Sequence, residues 1–341
     1  MDERINKTID KFYTNNDITS SNYADSREDA YHNNKYFDMR IAYSILRDKI
    51  DNWIQGFEPE DRETFLEMLE KFTYLTQEAL SYRIYCICEE IFNQLNVVRI
   101  EKKDIIFVVV ESSNGVKSGA DEITVRLWEA CRPYELEKSQ IITAYSKTSI
   151  ENIEKSKVII FIDDILATGF TMKKQIDDFY QRFSQICDNS KKYYFTGVFV
   201  TKNAVKYIKR NLKHIPIKFE SFYQEEQVIK SAFKGNYIFN ENKVKEMEQK
   251  VKEYENFINE YKKEYNKDFS MGFRQCKLLL AFHYETPNNT LCSFWRGTNI
   301  NYPVFERSGN SGLTVKDLKI RKRHMSENSY LYKSLNRGDN L

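Results

Sequence analysis

The sequence predicts an α/β protein, with an open, mainly parallel sheet covered by helices on both faces and preceded by a helical N-terminal region. Two observations predict it. Between residues 104 and 225, continuous apolar runs of strand length alternate with helical stretches, the pattern of strands buried on both faces. Before that, residues 37–97 place apolar side chains three and four apart, the spacing of helices.

The elements follow in order. Residues 1–36 include SSNYADSREDAYHNN and are expected to be polar and mobile. Ile41, Ile45, Leu46, Ile50, Trp53 and Ile54 mark a first helix. Pro59 and the acids around it open a second, with Phe65, Leu66, Leu69, Phe72, Tyr74 and Leu75 as its apolar side. A third covers Gln77 to Leu95, completing a helical cap over 37–97. Ile105–Val110 is the first strand, ended by Ser112-Ser113-Asn114-Gly115, and Ser118 caps a helix through Trp128. Ile141–Tyr145, Val158–Ile162, Tyr194–Thr201 and a short stretch near 217–222 are further strands, with helices at 171–183 and up to Leu212. The Glu- and Lys-rich stretch 241–268 reads as a helical insertion whose stripe is Val244, Met247, Val251, Tyr254, Phe257 and Ile258. Leu278–Phe282 is expected to return to the sheet as a last strand, so the α/β domain spans 104–300, and 301–341 is a loop-rich basic tail.

Composition removes several classes. The 52 Lys and Arg residues nearly balance 50 Asp and Glu, so no global charge favours nucleic acid. No apolar stretch reaches the length of a membrane span, and the charged start MDERINKTID lacks the apolar core of a secretory leader, so a cytoplasmic location is expected. Cys86, Cys88, Cys131, Cys187, Cys276 and Cys292, with four scattered histidines, lack zinc spacing and read as reduced, mostly buried thiols.

One stretch carries chemistry: the apolar run Val158–Ile162, then Asp163-Asp164, Ile165-Leu166, Ala167-Thr168-Gly169-Phe170-Thr171 and a helix. In an open parallel sheet, ligands bind beyond the carboxyl ends of the strands, where this loop lies. Helix-start N–H groups suit a phosphate, Gly169 permits close backbone approach, and the Thr168 and Thr171 hydroxyls add donors. Carboxylates at a strand end accept hydrogen bonds from vicinal ribose hydroxyls. The ligand described is a sugar diol with a 5-phosphate. The plainer alternative is a strand end followed by a threonine-capped helix. Five specified residues at fixed spacing arise by chance in about one chain in several thousand, which favours the ligand.

The stretch resembles the phosphoribosyltransferase signature of an apolar strand, Asp/Glu-Asp, three residues, Thr-Gly, one residue and Thr/Ser. The resemblance implies the type I phosphoribosyltransferase fold. It implies that Asp163 and Asp164 hold the ribose hydroxyls of phosphoribosyl pyrophosphate (PRPP), and that Ala167, Thr168, Gly169, Phe170 and Thr171 cradle its 5-phosphate. The first strand-loop, Glu111 to Gly119, falls where the family binds pyrophosphate, which assigns Lys117, Ser118 and Gly119 to that group and Lys117 to its departing charge. Magnesium is expected to arrive with PRPP, with no firm protein ligand. Ala167 stands where hypoxanthine/guanine enzymes carry an acid, which argues against a 6-oxopurine acceptor, and Phe170 replaces the glycine usual in the adenine-type loop. The helical region with Trp53, taken with Thr286-Pro287-Asn288-Asn289-Thr290-Leu291 and Phe294-Trp295, resembles stand-alone phosphoribosyltransferase-like proteins of bacterial anti-phage loci, including retron-associated effectors.

Weaker signals complete the reading. His283, Asn288 and Asn289 are candidates to line the site, although a strand-end histidine and a Pro-Asn turn are usually structural. The basic run Lys316–His324 and the helix bearing Lys202, Lys206, Lys209, Arg210 and Lys213 are candidate phosphate contacts, or simply solvated faces. The leading expectation is an enzyme that transfers phosphoribosyl to an unnamed acceptor, as an oligomer or a monomer. The alternatives are a non-catalytic PRPP or nucleotide sensor, and a nucleic-acid- or protein-binding component of a defence complex.

Overall fold

The structure, a computed structural model, describes residues 1–14, 45–97, 100–111, 119–143, 150–235, 237–260, 269–298 and 301–307. The chain divides into two units. Gln77–Lys230 forms a sheet unit, while Met1–Thr76 and Ser231–Leu341 together form a flanking unit.

The flanking unit begins with α1 (Asp2–Thr14), α2 (45–55), α3 (Arg62–Glu70) and β1 (Thr73–Leu75). Asp2–Thr14 falls within the segment expected to be mobile, yet it is a helix with Ile5, Ile9 and Phe12 buried along one face. Tyr74 and Leu75 continue the apolar spacing of α3 but leave the helix and form a strand.

The sheet unit comprises α4 (Gln77–Val97), β2 (Ile105–Val109), α5 (Gly119–Cys131), β3 (Ile141–Thr143), α6 (Ile150–Lys155), β4 (Val158–Leu166), α7 (Phe170–Phe183), β5 (Lys192–Val200), α8 (Lys202–Asn211) and β6 (Phe219–Ser221). The flanking unit then resumes with α9 (Glu241–Glu260), β7 (Leu280–Phe282) and α10 (Cys292–Trp295).

The five strands run in the order β3-β2-β4-β5-β6, every pair parallel. Counted along the chain this is 2-1-3-4-5, so the winding direction reverses between β2 and β4. Right-handed crossovers therefore put α5 on one face and the helices after the reversal on the other. Core packing agrees. Ile106 and Val108 of β2 and Ile159 and Phe161 of β4 join Met172, Ile176 and Phe179 of α7 and Ile208 of α8 in one cluster. On the opposite face Phe107 meets Phe92 of α4, with ring centroids 6.3 Å apart. All five β2 residues are buried, the physical reason the run is continuous rather than alternating.

The expected last strand does not join this sheet. Leu280–Phe282 pairs in parallel with Thr73–Leu75 in a separate two-stranded sheet inside the flanking unit. That unit is built around Trp53, Phe57, Phe65, Phe72, Phe294, Trp295 and Phe305, together with Val251, Tyr254 and Ile258 of α9. Of the stripe predicted for 241–268, the helix holds through Glu260, and 261–268 lie outside the described residues. Among the described residues, no helix is long and apolar enough to cross a membrane.

Candidate functional site: the switch point between β2 and β4

The winding reverses between β2 and β4, and doubly wound sheets bind ligands at the carboxyl ends of the strands beside such a reversal. Two connections leave those ends: the one after Val109 and the one after Leu166.

β4 extends four residues past its apolar run because β5 keeps pairing with it. Asp163 lies opposite Gly197, Ile165 opposite Phe199 and Leu166 opposite Val200. A side chain at Gly197 would come within 2.9 Å of the Phe199 carbonyl oxygen and 3.0 Å of Leu166 Cγ, so only glycine allows this register. Asp163 and Asp164, expected to end the strand, are half-buried inside β4, which continues to Leu166. Asp163 Oδ1 accepts a hydrogen bond from the Asp164 backbone N–H at 2.9 Å. Burial, and then the neighbouring Asp164 charge, push the Asp163 carboxyl well above the usual range.

Three residues separate β4 from α7. Gly169 takes φ +76°, and an added Cβ would lie 2.8 Å from both the Ala204 carbonyl oxygen and Ile208 Cγ1. Glycine is thus required twice, for its backbone angle and for the close approach of α8. Thr201, the residue before α8, holds the loop from beneath. Its N–H donates to Leu166 O (2.9 Å), its Oγ1 donates to Ala167 O (2.7 Å), and the same oxygen accepts from Ala204 N–H (3.0 Å). Thr168 Oγ1 accepts from Phe170 N–H at 3.3 Å, Phe170 is 42% exposed, and Thr171 is exposed. The first-turn N–H groups of α7 thus begin at a loop fixed from below and open above.

The two loops are joined by a residue that motif reading does not single out. Gln175 of α7, 1% exposed, accepts from the Glu111 backbone N–H (3.1 Å) and donates through Nε2 to the Glu111 carbonyl. The helix that starts at the Thr168-Gly169 loop therefore also fixes the residue from which the Glu111–Gly119 loop departs. A signal for it exists in the sequence, since Gln175 interrupts the apolar stripe Met172, Ile176, Phe179. Thr201 is similarly legible as a helix cap but not as a loop support.

Gly119 is the first residue of α5, while Lys117 and Ser118 lie outside the described residues. His283, Asn288 and Asn289 belong to the flanking unit. His283 N–H donates to Leu75 O (2.8 Å), and Asn288 O accepts from Phe273 N–H (2.7 Å). The buried Asn289 amide donates to Phe273 O and Cys276 Sγ, both at 3.3 Å, so its local work is to hold that turn. The basic run Lys316–His324 is outside the described residues. Among the described residues, no group of three or more His, Cys, Asp or Glu side chains surrounds a metal position.

A family model described as PRTase-CE matches residues 50–307, well over half of the chain. The chain belongs to the PRTase-CE family. As a PRTase-CE member it is a phosphoribosyltransferase-like protein, and the match takes in the sheet unit together with most described parts of the flanking unit. The PRTase-CE region thus extends well beyond the 104–225 core that carries the phosphoribosyltransferase resemblance. Comparison with curated proteins and with solved structures returned no match.

Proposed function

We propose that the protein binds PRPP at the switch point and transfers its phosphoribosyl group to an acceptor with release of pyrophosphate. The observation that carries this reading is the loop Ala167–Thr171, fixed by Thr201 and Gly169 at the start of α7 and preceded by paired carboxylates in the last four residues of β4. The 5-phosphate sits on the first-turn N–H groups of α7 and the Thr168 and Thr171 hydroxyls. Asp163 and Asp164 accept hydrogen bonds from the ribose 2- and 3-hydroxyls. The pyrophosphate lies toward the Glu111–Gly119 loop, whose Lys117 neutralises its departing charge. Magnesium enters as part of the substrate, chelated by the pyrophosphate through oxygen and water.

Displacement at the anomeric carbon passes through an oxocarbenium-like state. The work of the chain is to position both phosphates and to place carboxylate charge beside the developing cation. Gln175 contributes by tying the two phosphate loops to one helix. The narrower assignment, an effector of anti-phage or retron loci, rests on the segments containing Trp53 and Thr286–Trp295. It is tested by loss of phage protection in cells carrying the site variant.

The direct test is calorimetric titration of PRPP with magnesium into the wild type and into the Asp163→Asn/Asp164→Asn variant. Loss of two ribose contacts, each worth about 1.5 kcal/mol or more when charge-assisted, weakens binding at least 100-fold. Unchanged affinity in a folded double variant refutes the ribose assignment. Acceptor-dependent pyrophosphate release then separates transfer from binding alone.

A further inference from the structure

We propose that the outer face of α8 is a docking surface for a nucleic-acid strand, held through its phosphates without reading its sequence. The proposal does not depend on the PRPP reading. Between Asp188 and Glu220 the chain carries eight Lys or Arg residues and no Asp or Glu, although the whole chain is nearly charge-balanced. Four of them, Lys206, Lys209, Arg210 and Lys213, are exposed and make no ion pair among the described residues. Spacings of three and four put Lys206, Lys209 and Arg210 on one side of α8, and Lys213 follows in the turn just past its end. Lys202, one turn earlier, is held by Glu225 at 2.9 Å.

The neighbouring helix shows that this is not how the protein treats surface lysines generally. On α7, Lys173 and Lys174 are each matched four residues on by Asp177 and Asp178. The four cations of the α8 face make no such pair, although Lys209 lies near enough to Glu220 to help lower its carboxyl. Complementing the helix dipole accounts for Lys209 and Arg210 in the last turn, but not for Lys206 before it or Lys213 beyond it.

The face also excludes other occupants. A protein interface needs buried apolar or aromatic anchors, and the exposed large apolar residues among those described are Met1, Ile45, Tyr82, Tyr85, Val125, Ile150 and Phe170, none on α8. A membrane-surface helix needs a free apolar side, whereas Ala204, Val205, Ile208 and Leu212 are buried in the core. Clustered exposed cations with no apolar anchor fit a polyphosphate chain. Lysines predominate, which suits point-charge contact over base reading.

The test uses the full chain and fluorescently labelled single-stranded DNA and RNA 20-mers, read by anisotropy between 50 and 200 mM salt. Four neutralised phosphates give a log K against log salt slope of about −2.8 for a single strand, or about a 50-fold loss over that range. The variant Lys206→Gln/Lys209→Gln/Arg210→Gln/Lys213→Gln should reduce the magnitude of the slope by about 3 while its thermal melt stays cooperative. The control Lys103→Gln/Lys155→Gln, which removes exposed cations already paired with Glu101 and Glu151, should bind as the wild type does. Absence of binding at 50 mM salt overturns the proposal. So does an unchanged slope in the quadruple variant, which would assign binding to the basic run at 316–324, or equal affinity for poly-glutamate.

Discussion

In the sheet unit the core is layered and mostly aliphatic, and the polar groups it buries are largely neutral. Gln140 donates to Lys102 O and Ile105 O, Gln227 donates to Gly197 O, and Gln175 brackets Glu111. In the flanking unit the core is aromatic and its buried polar groups include charges. Trp53 stands among Phe57, Phe65 and Phe294 at 4.8–6.0 Å between ring centroids. The fully buried Glu255 of α9 accepts from the backbone N–H groups of Cys292 (2.6 Å) and Ser293 (2.8 Å), and Arg296 is 2% exposed. An amide bridging two backbone groups behaves alike at every pH, whereas a buried carboxyl does not. The comparison therefore assigns most of the fold's response to pH to the flanking unit, with Asp163 as the exception in the sheet unit.

The largest effect that would test the contrast is steric. Gly272 has φ +75°, and a Cβ there would sit 2.2 Å from the Asn289 carbonyl oxygen, so Gly272→Ala should cost about 4 kcal/mol in urea unfolding followed by tryptophan emission. Gly169→Ala in the sheet unit, with contacts at 2.8 Å, should cost about 2–3 kcal/mol. Gly235→Ala, also at positive φ but with open space around it, should cost about 1 kcal/mol. Equal losses at all three would mean that backbone angle alone matters.

Next comes pH. Burial pushes the Glu255 carboxyl up to about 7 from an ordinary 4.5, despite its hydrogen bonds. Between those values the native chain holds a proton that the unfolded chain has released, so stability falls as pH rises from about 4.5 to 7, by about 3 kcal/mol in all. Glu255→Gln should flatten that slope, being the less stable protein near pH 5, where it loses one N–H acceptor, and overtaking the wild type by pH 8. A wild-type midpoint that does not move across this range breaks the comparison.

Gln175→Leu should cost about 2 kcal/mol by leaving both Glu111 backbone groups unpaired, with no dependence on pH between 5 and 8. It should also weaken PRPP binding without touching the ligand, separating positioning from contact. The last test is at Asp163, whose raised carboxyl opposes folding once pH exceeds its ordinary value. Asp163→Asn should raise the melting temperature at pH 7.5 while losing ligand affinity. A lowered melting temperature would mean that the carboxylate stabilises the fold as well.

Legibility in the sequence follows the same division. Strands such as Ile105–Val109 and Val158–Ile162 announce themselves because every side chain is buried, so the signal is complete within five residues. The turn from β4 into α7 is equally legible, since Gly169 and the carboxylates before it sit at fixed local spacing. Leu280–Phe282 has the same local character as a sheet strand, but its partner, Thr73–Leu75, lies 207 residues earlier, and nothing in either stretch names the other. The α1 face of Ile5, Ile9 and Phe12 was present at helical spacing but diluted by the polar residues up to 36. Gln175 and Thr201 escape motif reading because they act on backbone groups of distant residues, Glu111 and Ala167.

The pairing of β1 with β7 also sets a timetable for synthesis. The sheet unit is one contiguous stretch and can fold once Lys230 has cleared the ribosome. At about 5–20 residues per second, β1 waits about 10–40 s for its partner strand to be made, with the aromatic side chains of α2 and α3 already translated and unmatched. That interval, rather than any step within the sheet, is where a chaperone would find the nascent chain most in need of cover.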